Sequence, residues 1–256
     1  MHIESPLPVL LAATAAVLLS MPMLTSRGQD PATKPTPASI QPAPRTDKWA
    51  VEREKELLNR AKESPKAKVV FVGDSITQGW EGEGASFWAQ HFAPLGALNL
   101  GNSGDRTEHV LWRLQEAPIT RLSPEHVVLM IGTNNLGHGS SNAEETLLGV
   151  KKVVETLLAQ CPAATVHVLE IFPRGDRINA MRGDIDQVNQ ALRAFVRDHE
   201  RTAKPGHGSQ LAIHAIGDLF VQADGTIDKA IMPDFLHLSK DGYRIWGEAL
   251  LPLVSK

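Results

Sequence analysis

Residues Val69–Thr77 read VVFVGDSIT, and this stretch decides the fold. Four apolar residues run into Gly-Asp-Ser, after which the chain becomes polar and rich in glycine. A short apolar run that ends at a glycine is typical of a buried strand in a parallel sheet. Ser75 then lies just past the carboxyl end of that strand, where open α/β sheets bind ligands and a helix begins. On this stretch alone, a role as ordinary helix N-caps is the alternative for Asp74 and Ser75.

Apolar and amphipathic segments alternate along the chain from Lys66 onward. The predicted strands are Val69–Val72, Ala97–Leu100, Val127–Ile131, Thr165–Ile171 and Leu211–Ile216. The predicted helices are Asp47–Glu63, Ala85–Phe92, Thr107–Glu116, Ala143–Leu158, Arg182–His199 and Lys240–Val254. Strands separated by helices require right-handed crossovers, which place helices on both faces of a parallel sheet. The sequence therefore predicts one doubly wound α/β domain with a five-stranded parallel sheet.

The first 46 residues differ in composition from the rest. Leu7–Leu24 is the most apolar stretch and is similar to the hydrophobic region of a secretory signal, although no Lys or Arg precedes it. We expect residues 1–26 to be a cleaved export signal, which makes the protein secreted or periplasmic. An uncleaved membrane anchor and a misassigned start are the alternatives. Five prolines follow within residues 27–46, so we expect an extended linker there and the folded domain over residues 47–256.

Overall composition excludes several classes of protein. The 26 basic and 29 acidic residues give a net charge of −3, without the basic excess that nucleic-acid binding needs. Cys161 is the only cysteine, so neither an intrachain disulfide nor a cysteine-based metal site can form. His126, His167, His207 and His214 lack the spacing of metal ligands, and we expect them to be structural.

Polar residues follow the predicted strands where each one ends. Ser75 follows the first strand, Gly104 and Asn134 lie after the second and third, and Asp234 and His237 precede the last helix. The carboxyl ends of parallel strands meet at one edge of the sheet, so we expect these residues to converge. A hydroxyl, an imidazole base and an orienting carboxylate are what nucleophilic acyl transfer needs. The N–H groups of Ser75 and Gly104, with the Asn134 side chain, would supply an oxyanion hole.

The same residues form blocks that resemble the SGNH hydrolases, the GDSL esterase superfamily. The matching positions are Gly73–Ile76 (with Ile for the usual Leu), Gly104, Gly132–Asn134, and Asp234 with His237. Within that superfamily, Asn102–Leu114 and Phe172–Gly175 look like the catalytic subunits of the intracellular platelet-activating factor acetylhydrolases, isoform IB. The resemblance implies a flavodoxin-like, three-layer α/β/α fold that needs neither a metal nor a cofactor.

The resemblance also implies roles for individual residues. It makes Ser75 the nucleophile, His237 the general base and then acid, and Asp234 the partner that orients the imidazole. Ser75, Gly104 and Asn134 become the oxyanion hole. We expect hydrolysis of short-chain, acetyl esters of a small molecule or a carbohydrate. A phospholipid-type acetylhydrolase or lipase, a non-catalytic ligand-binding domain, and acyl transfer to an acceptor other than water are the alternatives. A homodimer and a membrane tether through the N-terminal segment are compatible with the sequence.

Five further residues have a structural interpretation as well as a functional one. Trp80 follows the nucleophile closely and is either a wall of the substrate pocket or a core aromatic. His138 follows the third strand and is a candidate for contacting substrate at the mouth of the site. His109 lies within a predicted helix and is expected to be a packing or a surface residue. Arg174 is expected to anchor a loop, and Asp74 to fix the nucleophile turn as a hydrogen-bond acceptor.

Overall fold

A parallel sheet of five strands lies at the centre of the part of the chain that the structure describes. The structure, a computed structural model, describes residues 35–116, 119–202 and 210–255 together with His2. The strands are β1 (Val69–Gly73), β2 (Ala97–Gly101), β3 (His126–Met130), β4 (Thr165–Leu169) and β5 (Leu211–His214). Their order is β2-β1-β3-β4-β5, and every neighbouring pair is parallel. The predicted doubly wound sheet is confirmed, and its winding reverses between β1 and β3, where such sheets bind ligands.

Helices cover both faces of this sheet and give the expected three-layer α/β/α fold. The helices are α1 (Lys48–Glu63), α2 (Ser75–Gln78), α3 (Ala85–Phe87), α4 (Thr107–Glu116), α5 (Thr133–Gly137), α6 (Ala143–Gln160), α7 (Ala180–Thr202) and α8 (Lys240–Val254). Side chains alternate between the two faces of a strand. Val70 and Val72 therefore pack with α1, α4, α6 and α7, whereas Val69 and Phe71 pack with α8.

The predicted helix Ala85–Phe92 is confirmed, but its second half is a π-helix and not an α-helix. A π turn over Trp88–Phe92 follows α3 directly. A π turn bonds residues five apart, so it brings such residues toward one side of the helix. Phe87 and Phe92 accordingly lie with ring centroids 5.6 Å apart, and both rings contact Trp80. Aromatic packing over β1 decides the local backbone here.

β4 is shorter than predicted because a side chain takes the place of a neighbouring strand. After Leu169, the side chain of Asn189 in α7 accepts a hydrogen bond from the N–H of Ile171 (2.9 Å) and donates one to its carbonyl (3.0 Å). The backbone polar groups of Ile171 are thus satisfied without a β ladder. β5 likewise ends early, because a 3₁₀ turn begins at Ile216.

Residues Thr36–Asp47, here called the strap, pack onto the domain instead of extending as a linker. The compact unit of the domain begins at Thr36. Ser39 is fully buried; its hydroxyl donates to the carbonyl of Glu145 (2.6 Å), and its carbonyl accepts from the hydroxyl of Thr107 (2.8 Å). The linker boundary expected at Thr46 therefore differs from the structure, because hydrogen bonds to α4 and α6 hold a segment that offers little apolar surface.

The N-terminal apolar stretch, predicted as a signal or an anchor within residues 1–26, lies outside the described residues. Among the described residues, no helix is long and apolar enough to cross a membrane.

Three histidines form a row across adjacent strands. The Nδ1 atom of His126 in β3 lies 3.0 Å from Nε2 of His167 in β4, and Nδ1 of His167 lies 3.0 Å from Nε2 of His214 in β5. Burial, together with the two neighbouring imidazoles, lowers the pKa of His167 to about 4. Burial also lowers the pKa of His126 and of His214. The row is therefore a structural set of neutral imidazoles, as expected for these three residues, whereas His207 lies outside the described residues.

This row predicts a loss of stability in weak acid. A histidine in the unfolded chain becomes protonated with a pKa of about 6.5. His167 in the folded protein becomes protonated only near its lowered pKa of about 4. The free energy of unfolding should therefore decline as pH falls through that window. The free energy of unfolding is measured by urea titration at about pH 7 and about pH 4.5. Between these two pH values it should fall by roughly 2 kcal/mol less in His167→Gln than in wild type. His199→Gln, a control at the end of α7, should follow wild type; equal losses in all three proteins would contradict the assignment.

Candidate active site

The structure brings together the three side chains that the sequence singled out as a catalytic triad. Ser75 opens α2 directly after β1. Its Oγ lies 2.9 Å from Nε2 of His237, and Nδ1 of His237 lies 2.7 Å from Oδ2 of Asp234. With Nδ1 protonated, the imidazole donates to the carboxylate and accepts from the serine hydroxyl. A serine activated by an imidazole that a carboxylate orients can perform nucleophilic acyl transfer.

One carboxylate builds the loop that presents the histidine. Oδ1 of Asp234 accepts hydrogen bonds from the N–H groups of Leu236 (3.0 Å) and His237 (2.7 Å), while Oδ2 bonds the imidazole. Phe235 between them takes a left-handed conformation with φ of 58°, which is uncommon for a bulky residue. Partial burial opposes ionisation, but these hydrogen bonds hold the pKa of Asp234 below its ordinary value. Asp234 therefore stays ionised while it orients His237.

The nucleophile turn is fixed from two sides. Oδ1 of Asp74, which is fully buried, accepts from the N–H of Ile76 (3.0 Å), and this confirms its expected role as a loop-fixing acceptor. Burial raises the pKa of Asp74 to about 7. The hydroxyl of Tyr243 in α8 donates to the carbonyl of Ile76 at 2.6 Å. Sequence reasoning missed Tyr243; its signal is that it is the only tyrosine in the chain and lies on the buried face of α8.

The loop that carries Gly104 lies against α2 and against Asn134. The N–H of Ser103 donates to Oε1 of Gln78, the last residue of α2, at 2.8 Å. The amide of Asn134 donates to the carbonyl of Asp105 at 2.9 Å. Gly104 has φ of 74°, in the left-handed region that glycine tolerates best. The two oxyanion-hole candidates are thus neighbours, and both lie beside the helix that begins with Ser75.

A buried network of charges supports this loop. The carboxylate of Asp105, fully buried, accepts from Nη1 of Arg45 (3.0 Å) and from Nη2 of Arg113 (2.7 Å). Arg113 also donates to Glu54 at 2.7 Å. Burial raises the pKa of Glu54, with the positive charge of Arg113 opposing it. Sequence reasoning missed this network, whose one signal was Arg113 standing on the apolar side of α4.

Arg174 anchors a loop, as expected. Its Nη1 lies 3.3 Å from both the carbonyl and the hydroxyl of Thr133 in α5. The next residue, Gly175, donates its N–H to the carbonyl of Phe235 at 2.9 Å. Arg182 donates to the carbonyls of Arg174 and Gly175. This loop therefore ties the asparagine side of the site to the histidine loop.

The two candidate substrate contacts, Trp80 and His138, lie in different surroundings. Trp80 is fully buried, with ring centroids 4.8 Å from those of Tyr243 and of Trp246, so it is a core aromatic and not a pocket wall. Tyr243 and Trp246 both belong to α8, so this helix covers the indole. His138 is exposed and lines an open cavity of about 510 Å³ that also reaches Gly104. His109 packs as expected, with Nδ1 accepting from the N–H of Arg106 at 3.0 Å.

Within the described part of the chain, no cluster of three or more His, Cys, Asp or Glu side chains has the arrangement of a metal site.

A serine, an imidazole and a carboxylate are thus in contact at the edge of a doubly wound sheet, an arrangement suited to acyl transfer. Residues 71–245 match the model of the GDSL-like lipase/acylhydrolase family. The chain belongs to this family and is an ester-cleaving hydrolase.

Three similar proteins illustrate the match. The human platelet-activating factor acetylhydrolase IB subunit alpha1 is 37% identical over 219 residues, which is 84% of this chain and 85% of that protein. The rat subunit alpha2 is 34% identical over 200 residues, covering 77% and 79%. A crystal structure of a GDSL-like lipase from Bacteroides thetaiotaomicron superimposes with a TM-score of 0.64 at 20% identity, covering 79% of this chain and 97% of that one. The last comparison bears on the fold alone.

Proposed function

We propose that the protein is a serine esterase that removes short acyl groups, acetyl foremost, from alcohols through Ser75, His237 and Asp234. The observation that carries the proposal is the continuous chain of contacts from Oγ of Ser75 to Nε2 of His237 (2.9 Å) and from Nδ1 to Asp234 (2.7 Å). The acetyl preference is supported by the named activity of the relatives, which are acetylhydrolases.

The proposed reaction follows from this geometry. Nε2 of His237 takes the hydroxyl proton as Oγ of Ser75 attacks the ester carbonyl, and the imidazolium is stabilised by Asp234. The N–H groups of Ser75 and Gly104 and the amide of Asn134 donate to the tetrahedral oxyanion. His237 then protonates the leaving alcohol, which departs and leaves an acyl-serine. A water molecule, deprotonated by His237, attacks the acyl-serine and releases the acid.

The exposure of the triad is compatible with a bulky alcohol. The side chains of His237 and Asp234 are 45% and 56% exposed, so the alcohol side of the ester has open solvent around it. Two leaving groups fit that description. A carbohydrate fits the export that we predict for residues 1–26 and that forms part of this proposal. A phospholipid-type alcohol fits the named substrate of the relatives.

An ester panel tests the proposal. The full chain is assayed with p-nitrophenyl acetate, butyrate and octanoate, an acetylated xylan, and an acetylated ether phospholipid, and released acid is measured. We expect the highest kcat/KM for acetyl among the p-nitrophenyl esters. Release of acetate from xylan or from the phospholipid decides between the two alcohols. If the chain binds these esters but cleaves none of them, the domain is a non-catalytic binder. If the acetyl group appears only on an added alcohol acceptor, the protein is an acyltransferase.

Removing the side-chain donor of the oxyanion hole should slow the chemical step. Asn134→Ala is expected to lower kcat by about 10²–10³ with little change in KM, since this donor acts mainly on charge that develops in the transition state. Steady-state kinetics with p-nitrophenyl acetate measures both constants. Asn142→Ala, which removes a capping asparagine of α6, is the matched control and should leave kcat unchanged. A change mainly in KM would instead make Asn134 a ground-state substrate contact.

A further inference from the structure

Arg45 in the strap reaches the loop that carries Gly104. Its Nη1 donates to the carbonyl of Ser103 at 2.8 Å and to Oδ1 of Asp105 at 3.0 Å. A Cβ atom placed on Gly104 would lie 3.2 Å from Nη2 of the same guanidinium. One side chain thus holds the residues on both sides of Gly104 and packs against the glycine itself.

The bond to Ser103 fixes the direction of the Gly104 N–H. The carbonyl of Ser103 and the N–H of Gly104 belong to one peptide unit, and in a trans peptide these two groups point in opposite directions. The described residues contain no cis peptide bond. A guanidinium on the carbonyl side therefore directs the N–H to the opposite side. A bond from a charged donor also polarises the peptide unit, which makes its N–H a stronger donor.

The neighbouring peptide units have other restraints, so this one depends on Arg45. The N–H of Ser103 donates to Gln78 (2.8 Å), and the N–H of Asp105 donates to the carbonyl of Asn102 (3.1 Å). Gly104 has the widest conformational freedom of any residue type. Without a partner for the Ser103 carbonyl, the peptide unit before Gly104 would be the one most free to rotate.

Arg45 is itself held firmly. Its side chain is 8% exposed, and it pairs with Asp47 through Nη2 at 2.8 Å. The centre of its guanidinium lies 5.0 Å from the ring centroid of Trp49. A planar guanidinium can satisfy Asp47, Asp105 and the Ser103 carbonyl at fixed angles, whereas the single ammonium of a lysine cannot.

We propose that Arg45 is a positioning residue for the oxyanion hole: it orients and polarises the Ser103–Gly104 peptide so that the Gly104 N–H faces the developing oxyanion. This inference rests on the proposed esterase function. It makes the strap, whose composition suggests a linker, a working part of the active site.

Kinetics of full-length Arg45→Ala and Arg45→Lys test the role. We expect kcat for p-nitrophenyl acetate to fall by about 10–100-fold, which is less than the loss of a direct donor, with KM nearly unchanged. Affinity for a trifluoromethyl ketone, which forms a tetrahedral adduct on the serine, should fall by a similar factor. Added guanidinium at non-denaturing concentrations should partly restore kcat in Arg45→Ala. A merely structural role would not lower the affinity for the adduct at constant KM.

Two controls separate the outcomes. Arg60→Ala removes a partly exposed arginine of α1 that pairs with Glu56 and Glu81 and has no described contact with the Gly104 loop, and it should keep wild-type kcat. Asp47→Asn leaves the Ser103 contact of Arg45 and should cost far less than either Arg45 variant. If Arg45→Ala does not fold, Arg45→Lys carries the test, because it keeps the positive charge. An active wild type whose Arg45 variants keep their kcat overturns the role of Arg45 alone; a wild type that cleaves no ester overturns the proposed function and this inference with it.

Discussion

Ser75→Ala should lower kcat for p-nitrophenyl acetate by roughly 10⁴–10⁶ while leaving the fold intact, because no covalent intermediate can form without Oγ. Ser75 is partly exposed at the start of α2, and its Oγ bonds only His237 among the described contacts, so its removal disturbs little packing. The residual rate should come from the oxyanion donors and substrate binding alone. Steady-state assays at high enzyme concentration, with thermal unfolding beside them, measure the two effects.

Chemical labelling gives an independent measurement of the same assignment. A fluorophosphonate should add its mass to the peptide that contains Ser75 in wild type and to no peptide in Ser75→Ala. Ser86→Ala, at an exposed position in α3, is the matched serine control and should label and turn over as wild type does. An active Ser75→Ala protein, or a label on another serine, would overturn the triad.

The sheet and the contacts among Ser75, His237 and Asp234 could be predicted because the information for them is local. Four apolar residues before Gly73 identify β1 wherever it lies in the sheet, and the residue after the turn is then at its carboxyl end. Asp234 and His237 are three residues apart, so one turn holds both, and the carboxylate that shapes this turn also bonds the ring. Parallel strands then bring these separate loops to one edge.

The strap could not be predicted because its contacts are distant in sequence and polar. Composition measures how much apolar surface a segment can bury. The strap is held instead by single hydrogen bonds, such as those of Ser39 to Glu145 and of Arg45 to Ser103, whose partners lie 106 and 58 residues away. Nothing in the spacing of residues 36–47 identifies those partners.

Trp80 shows the same limit for an aromatic residue. Its position soon after the nucleophile is equally compatible with a pocket wall and with the core. The choice is made by Tyr243 and Trp246 in α8, which close over the indole from the end of the chain. Which side of the nucleophile turn is buried depends on the packing of α8 on β1, a contact between elements that are distant in sequence.

Asp234→Asn should lower kcat by about 10³–10⁴, and the local structure makes this substitution unusually informative. The asparagine oxygen can still accept from the N–H groups of Leu236 and His237, so the loop should keep its shape. Its amide nitrogen, however, would replace Oδ2 opposite Nδ1 of His237 and donate where a carboxylate accepted. The imidazole would then carry its proton on Nε2, where it can no longer take the proton of Ser75.

The measurement pairs kcat with the rate of fluorophosphonate labelling at Ser75, and both should fall together because each depends on an activated serine. Asp228→Asn is the matched control: Oδ1 of Asp228 accepts from the N–H of Ala230 at 2.8 Å in a similar turn that bears no catalytic side chain. It should keep wild-type kcat and labelling. A loss of less than about tenfold in Asp234→Asn, with the loop intact, would mean that another group orients His237. Such a result would leave Asp234 as the acceptor that shapes the turn and nothing more.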